Sequence, residues 1–488
     1  MALFIRTSIP RAANLEISYQ HGAQKRFFKT STLSSDFYRP LSVVDIPIFG
    51  LIYELCRNVP AKNVEGPDWP RAPTLRESDD MARSTLPRHG IAADAAIEAL
   101  REAKSGDVDW RSGKTSLYVQ FGGDDVLDVA KRASELYFSE NAHGAAAFPS
   151  VARLQAEVLD WLLGLVNAGP FADGCFTASG SESILMSLKA ARDWARDRRP
   201  DIGFPKIVVP QSAHPAFEKA GRILGLEVAR APLRPDFRAN VADMETLICP
   251  RTILLAGSAP QFGHGVVDPI ADIAVLGIRY NLWVHVDACI GALIAPFARR
   301  AGASIPEFDF RIEGVRSISA DLHKYGFGAK GASAALFRHK CWRPYYAFEF
   351  DDWPIGSYGS VGLAGTRPAA PIAAAWAVMR YLGEEGYTRI AAEILRCTER
   401  LQMGLAAVDG VELVGKPDLP VLAWAAPSIP IDQIVEGMSR RGWFVRPMAS
   451  PSAIHMGMIT LHQGPVVDAY VTDVASTLKE AGHSLSSG

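Results

Sequence analysis

The chain has 488 residues, of which 48% are hydrophobic and 21% charged, with a formal net charge of −2. That length allows about three domain-sized units and a core that needs no staples, while the near-neutral charge excludes the basic footprint of a nucleic-acid binder. Six scattered cysteines without a CxxC pair exclude a disulfide framework or a cysteine zinc site and suit a reducing cytosol, and no apolar run reaches the roughly 20 residues of a membrane span.

Residues 1–85 read as an irregular, flexible N-terminal arm rich in Pro, Arg and Ser. Glu16 and the lack of an apolar core argue against a targeting peptide there. A helical pattern covers 91–103. The spacing of Val126, Val129, Ala130, Ala133 and Leu136 predicts an amphipathic helix over 124–138, and another runs over 150–166. Strands and helices then alternate. Helix 182–196 is followed by strand 207–209, helix 215–224, strands 226–229 and 252–255, helix 268–280 and strand 282–286. That alternation predicts an α/β large domain over 86–375, a mostly parallel sheet covered on both faces. Ligands of such sheets sit at the carboxyl ends of the strands, where Ser212, Ser258 and Asp287 fall. After a helix over 371–382 the pattern changes to strands 411–414, 421–424, 443–447 and 458–462 with helices 431–441 and 466–481. A smaller α+β domain over 376–488 is expected.

Two pieces of this pattern carry chemistry. Asp287 ends a strand in His285-Val286-Asp287-Ala288-Cys289, and Lys324 follows 37 residues later in Asp321-Leu322-His323-Lys324-Tyr325-Gly326. Pyridoxal 5′-phosphate chemistry requires such a pair. A lysine amine condenses with the cofactor's aldehyde, and a carboxylate keeps its ring nitrogen protonated so that the ring accepts electrons. His285 and Asp287 are two apart on a strand and share a face. Upstream, Thr177-Ala178-Ser179-Gly180-Ser181-Glu182-Ser183 opens a helix, where exposed N–H groups and the dipole favour a phosphate; plain capping by Ser179 or Ser181 is the simpler use of that loop. His214, just after a strand, can stack on a pyridine ring. Cys289 reads as a small buried residue at a strand end.

These segments resemble the sphingosine-1-phosphate lyase family, fold-type-I pyridoxal-phosphate enzymes related to group II amino-acid decarboxylases. The resemblance spans about residues 110–465. It includes Ser181-Glu182-Ser183-Ile184-Leu185-Met186, Pro210-Gln211-Ser212-Ala213-His214, Phe308-Asp309-Phe310-Arg311 and Gly365-Thr366-Arg367-Pro368 beside the two motifs above. It implies Lys324 as the cofactor lysine, Asp287 as the ring-nitrogen partner and His214 as the stacking residue. Gly180 and Ser181 then bind phosphate, and His323 and Ser360 complete the cofactor site. Lys330 matches a second family lysine near the substrate. Tyr358 and Ser360 match a loop that reaches a partner subunit, which implies a homodimer with shared sites. Tyr118, Asn141 and His143 correspond loosely to substrate residues, and the segment around Ser139–Phe148 departs in length. The family's animal members carry an N-terminal membrane helix; this chain shows none, as in soluble bacterial types.

The implied reaction breaks the C2–C3 bond of a phosphorylated sphingoid base to give a fatty aldehyde and phosphoethanolamine. Lys330 serves either as base, if burial lowers its pKa, or as a phosphate ligand. Two rivals remain: a group II amino-acid decarboxylase on the same scaffold, and a catalytically silent binding module. No metal is implied.

Overall fold

Short apolar strands bounded by Gly, Pro and Ser build the centre of the molecule, because a strand buried on both faces needs apolar residues at every position. The computed structural model describes residues 85–115 and 118–486, together with three strands near the start, β1 (Ala2–Arg6), β2 (Glu16–His21) and β3 (Gln24–Lys29), which pair antiparallel in a sheet of their own. The remainder of the arm expected over 1–85 lies outside the described residues. Residues 86–488 form one compact unit.

Its main sheet has seven strands in the order β4 (Asp173–Thr177), β10 (Ser333–Phe337), β9 (Val315–Ala320), β8 (Trp283–Asp287), β7 (Thr252–Ser258), β5 (Lys206–Pro210) and β6 (Glu227–Ala231). Only β10 runs against its neighbours; the β9-β8-β7-β5-β6 pairings are all parallel. Along the central strands, Val208, Leu255, Val284 and Val286 enter one apolar core, while Ile207, Val209, Leu254, Ala256 and Trp283 enter a second on the other face. That is the period of two expected of a pleated strand. Truncating fully buried Leu255 to Ala costs about 2–5 kcal/mol. The sequence pattern assigns no strand to β4, β9 or β10. Gly174, Cys175, Ser317, Ser319, Ala334 and Ala335 make them poor in β-branched residues, and burial rather than propensity holds them extended.

The longer helices among the described residues are α1 (Ala93–Ala103), α2 (Asp124–Leu136), α3 (Pro149–Leu165), α4 (Gly180–Arg198), α5 (Ala216–Leu224), α6 (Ile270–Arg279), α7 (Gly291–Arg300), α8 (Ala370–Ala406), α9 (Ile431–Arg440) and α10 (Gly464–Ser486). The helix expected over 371–382 is the first part of α8. Gly383 breaks it with φ 52° and ψ −173°, after which it resumes to Ala406. The C-terminal part carries a four-stranded sheet in the order β13 (Glu412–Leu413), β14 (Val421–Ala425), β16 (Ser452–Gly457), β15 (Arg446–Ala449). Two strand predictions are corrected. Residues 458–462 are not a strand; the pairing strand is Ser452–Gly457, and the chain then turns. His462 closes that turn, since its Nδ1 accepts from the Ile459 N–H at 3.0 Å. The expected strand at 443–447 likewise moves on to Arg446–Ala449.

Candidate active site

The carboxyl ends of β5, β7, β8 and β9 meet the amino end of α4 around a cavity of about 430 Å³. Its wall includes Tyr118, Gly180, Ser181, His214, Asp287, His323, Lys324 and Lys330, so most sequence-predicted site residues converge there.

Asp287 stands at the end of β8, buried, and its Oδ1 accepts from the Ser319 hydroxyl at 3.1 Å and the Cys289 N–H at 3.2 Å. Burial opposes its ionisation, but Lys324, the Cys289 side chain and the nearby histidines outweigh that and hold its pKa below the usual carboxylate value. It is therefore an anion at neutral pH. His285, on the same face, accepts or donates to Ser317 Oγ at 2.9 Å and sits behind Asp287 in the core, where burial pushes its pKa down to about 4. The ladder of Ser317 and Ser319 on β9 matches that of His285 and Asp287 on β8.

Lys324 lies on the turn after β9. Its Nζ is 3.1 Å from Asp321 Oδ2. Burial disfavours its charge, but Asp321, Cys289 and Asp287 more than compensate, and its pKa is raised. Asp321 opens the Asp321–Gly326 motif. It is buried, accepts from Ser333 Oγ at 2.5 Å, and ends a hydroxyl chain in which Ser333 meets Ser183 at 2.8 Å and Ser183 meets Thr177 at 2.6 Å. This network joins β4, α4, β10 and the lysine turn, and so positions Lys324. Its members come from three separate stretches of chain, 177–183, Asp321 and Ser333, so no local pattern announces it.

The phosphate loop is capped from both sides. Ser179 Oγ accepts from the Glu182 N–H at 3.3 Å, and Glu182 Oε2 accepts from the Ala178 N–H at 2.8 Å, a variant of the capping box. The N–H groups of Gly180 and Ser181 are then left without intrahelical partners. A Cβ on Gly180 would lie 2.7 Å from both Asp321 Oδ2 and Cys289 Sγ, so only glycine fits. His214 Nδ1 accepts from the Ala216 N–H at 3.1 Å. Burial lowers its pKa, and the neutral ring carries its proton on Nε2. Lys330 Nζ donates to Gln120 Oε1 and to the His323 carbonyl, each at 3.1 Å. Burial and Lys324 lower its pKa. Burial also lowers that of His323.

Four predicted site residues fall outside this cavity. Asn141 Oδ1 accepts from the His143 N–H at 2.9 Å and the Arg367 N–H at 3.3 Å. The His143 ring lies 5.1 Å from that of Tyr358, and Ser360 Oγ donates to the Gly362 carbonyl at 3.3 Å. In exchange the cavity gains Gln120, Phe262, Cys289, Asp321 and Arg446. Cys289 is buried, as expected. Among the described residues no cluster suits a metal ion and no helix is long and apolar enough to cross a membrane. A larger cavity of about 650 Å³ lies among α3, α7 and α8, but Arg300 and Arg311 in its wall are already paired with Glu384 and Asp309.

The pyridoxal-dependent decarboxylase conserved domain matches residues 135–426. The chain is 36% identical over 391 residues to sphingosine-1-phosphate lyase 1 of Rattus norvegicus, covering 80% of this chain and 68% of the rat protein. The chain belongs to the sphingosine-1-phosphate lyase family. The solved sphingosine-1-phosphate lyase of Burkholderia pseudomallei K96243 superposes with a TM-score of 0.79 at 32% identity, covering 84% of this chain and 95% of that one. A glutamate decarboxylase of Lactobacillus brevis shares the fold at a TM-score of 0.73 and 18% identity. The cofactor of the lyase family is pyridoxal 5′-phosphate, and the residues present fit it: a lysine, a buried carboxylate, an imidazole and a glycine-floored helix start line one cavity.

Proposed function

We propose that this family member cleaves the C2–C3 bond of a phosphorylated sphingoid base, releasing a long-chain aldehyde and phosphoethanolamine. The observation that carries this reading is Lys330. It brings a second ammonium into the cavity that already holds the Lys324–Asp287 pair, where a phosphorylated substrate needs a cation. The bound cofactor supplies an electron sink for the pair released from the broken bond.

The protein's own groups have separable tasks in this reading. Lys324 would hold the cofactor through its amine, which Asp321 positions from 3.1 Å. Asp287, a buried anion, would stabilise a charged ring nitrogen in a dry setting where the interaction is strong. His214 would lie against the cofactor's ring, and Gly180 and Ser181 would hold its phosphate. Lys330 takes the substrate phosphate. The C3 hydroxyl loses a proton as the aldehyde forms, and C2 gains one from solvent or a side chain.

We further infer a homodimer whose sites are shared. Phe348, Phe350, Trp353 and Ile355 are exposed on the β11 (Phe348–Phe350) and β12 (Tyr358–Ser360) hairpin. Asn141, His143 and Tyr358 cluster beside it, away from the cavity of their own chain. This arrangement suits residues that serve a neighbour. Free thiols at Cys175, Cys249, Cys289, Cys341 and Cys397 support a cytoplasmic setting. Purified protein loaded with the cofactor and given a phosphorylated sphingoid base releases aldehyde on this reading. Carbon dioxide from amino acids, with no aldehyde from that base, would place the chain with the decarboxylases instead.

A further inference from the structure

The cavity is polarised. Its carboxylates, Asp287 and Asp321, are buried at the floor. Two cations, exposed Lys330 and half-buried Arg446, line it as well. Each touches the same short segment leading into α2. Lys330 Nζ donates to Gln120 Oε1 at 3.1 Å, and Arg446 Nη1 donates to the Tyr118 hydroxyl at 3.2 Å. Arg446 comes from β15 of the C-terminal sheet, and its guanidinium lies 6.0 Å from the Phe262 ring centroid. Phe262 is itself part of the cavity wall. Tyr118 holds φ at 72°, a left-handed conformation that few non-glycine residues adopt. Such strain persists where neighbouring contacts over-determine it; the Arg446 bond and the 6.0 Å edge contact with Phe444 are two of them.

We propose that Arg446 is a specificity-determining residue that binds the substrate's phosphate together with Lys330, with Tyr118 as its positioning residue. This rests on the lyase reading above and extends it to the C-terminal sheet. A phosphate monoester carries close to two negative charges at neutral pH, and one ammonium matches only part of that. A guanidinium adds a planar fork that can take two phosphate oxygens at once. Lys324 is committed to Asp321 at the floor, and the cofactor's phosphate belongs at the start of α4. The rim formed by Lys330, Arg446 and Tyr118 is therefore a second, separate anion position for the substrate's head group.

Inhibition of the holoenzyme by phosphoethanolamine, compared with ethanolamine, reads this directly. Arg446→Gln should raise KM for the phosphorylated base and the phosphoethanolamine inhibition constant at least about tenfold, the scale of one lost charged hydrogen bond. It should lower kcat less than it raises KM and leave ethanolamine inhibition alone. Arg446→Lys should recover part of the loss, and Tyr118→Phe should fall between. An unchanged phosphoethanolamine constant in Arg446→Gln overturns the proposal. If Arg446→Gln does not fold, judged by its thermal midpoint and cofactor absorbance, Arg446→Lys decides: a selective weakening of phosphoethanolamine supports the assignment, and none overturns it. If the wild-type enzyme cleaves no phosphorylated base, the reaction reading fails by itself. Calorimetric binding of phosphoethanolamine to wild type and variant then still settles Arg446, with equal affinities against it and a loss for it.

Discussion

Asp287 and Lys324 divide the work between a carboxylate that must stay charged and an amine that must be held and then released. Lys324→Ala should abolish turnover and remove the visible absorbance of the covalently held cofactor; a normal band in that variant would assign the cofactor to another lysine. Asp287→Ala should slow the reaction by at least about a hundredfold, the scale of losing a key electrostatic partner. Near-wild-type kcat would contradict the electron-sink role. The lowered pKa of Lys330 sets a pH dependence of known sign. The ammonium loses its proton at a lower pH than an ordinary lysine, so KM for the phosphorylated base should rise on the alkaline side. Lys330→Arg should move that limb to higher pH, because a guanidinium stays charged. A KM that ignores both pH and substitution would remove Lys330 from phosphate binding. Lys324, Asp287 and Lys330 were legible in the sequence because the chemistry demands those residue types in that order. Asp321 and Arg446 were not. Asp321 is held by a chain of hydroxyls from Ser333, Ser183 and Thr177, and Arg446 meets Tyr118 from 328 positions away.

Elements place these residues with little freedom. The start of α4 works because Gly180 lets Asp321 and Cys289 approach, so Gly180→Ala should loosen the loop and speed loss of the cofactor on dialysis. Retention equal to wild type would show that the loop yields without consequence. Strands rich in Val, Ile and Leu were readable as strands, and the periodicity of α2 and α3 as helices. β4, β9 and β10 were not, since small residues carry little strand signal and only the packed sheet fixes them. The misplaced strand at 458–462 has a similar origin. Both it and Ser452–Gly457 are short and apolar, and the ladder to β14 selects the second. Gly383 explains why the pattern of α8 stopped halfway.

At the scale of the molecule, the fold class was written in the alternation of strands and helices, while the proposed sharing of sites rests on the loop resemblance at Tyr358 and Ser360. If sites are shared, mixing Lys324→Ala subunits with Tyr358→Ala subunits should restore activity in mixed dimers; verified exchange without activity would end that idea. Stability should also follow pH in a fixed direction. Burial pushes His264, His285, His455 and His462 down to about 4, against an ordinary value of about 6.5. The unfolded chain takes up protons that the folded chain refuses. The stability is therefore full above about pH 6.5 and declines as pH falls through that window toward 4. Thermal midpoints should fall from pH 7 to 5, and His455→Leu should flatten the decline; an unaltered slope in that variant would contradict the assignment. The most direct test of the lyase account is product analysis in heavy water. Holoenzyme given a phosphorylated sphingoid base should release equal amounts of long-chain aldehyde and phosphoethanolamine, the latter carrying one new deuterium on the carbon next to nitrogen. Intact substrate, or carbon dioxide from amino acids in place of aldehyde, would contradict it.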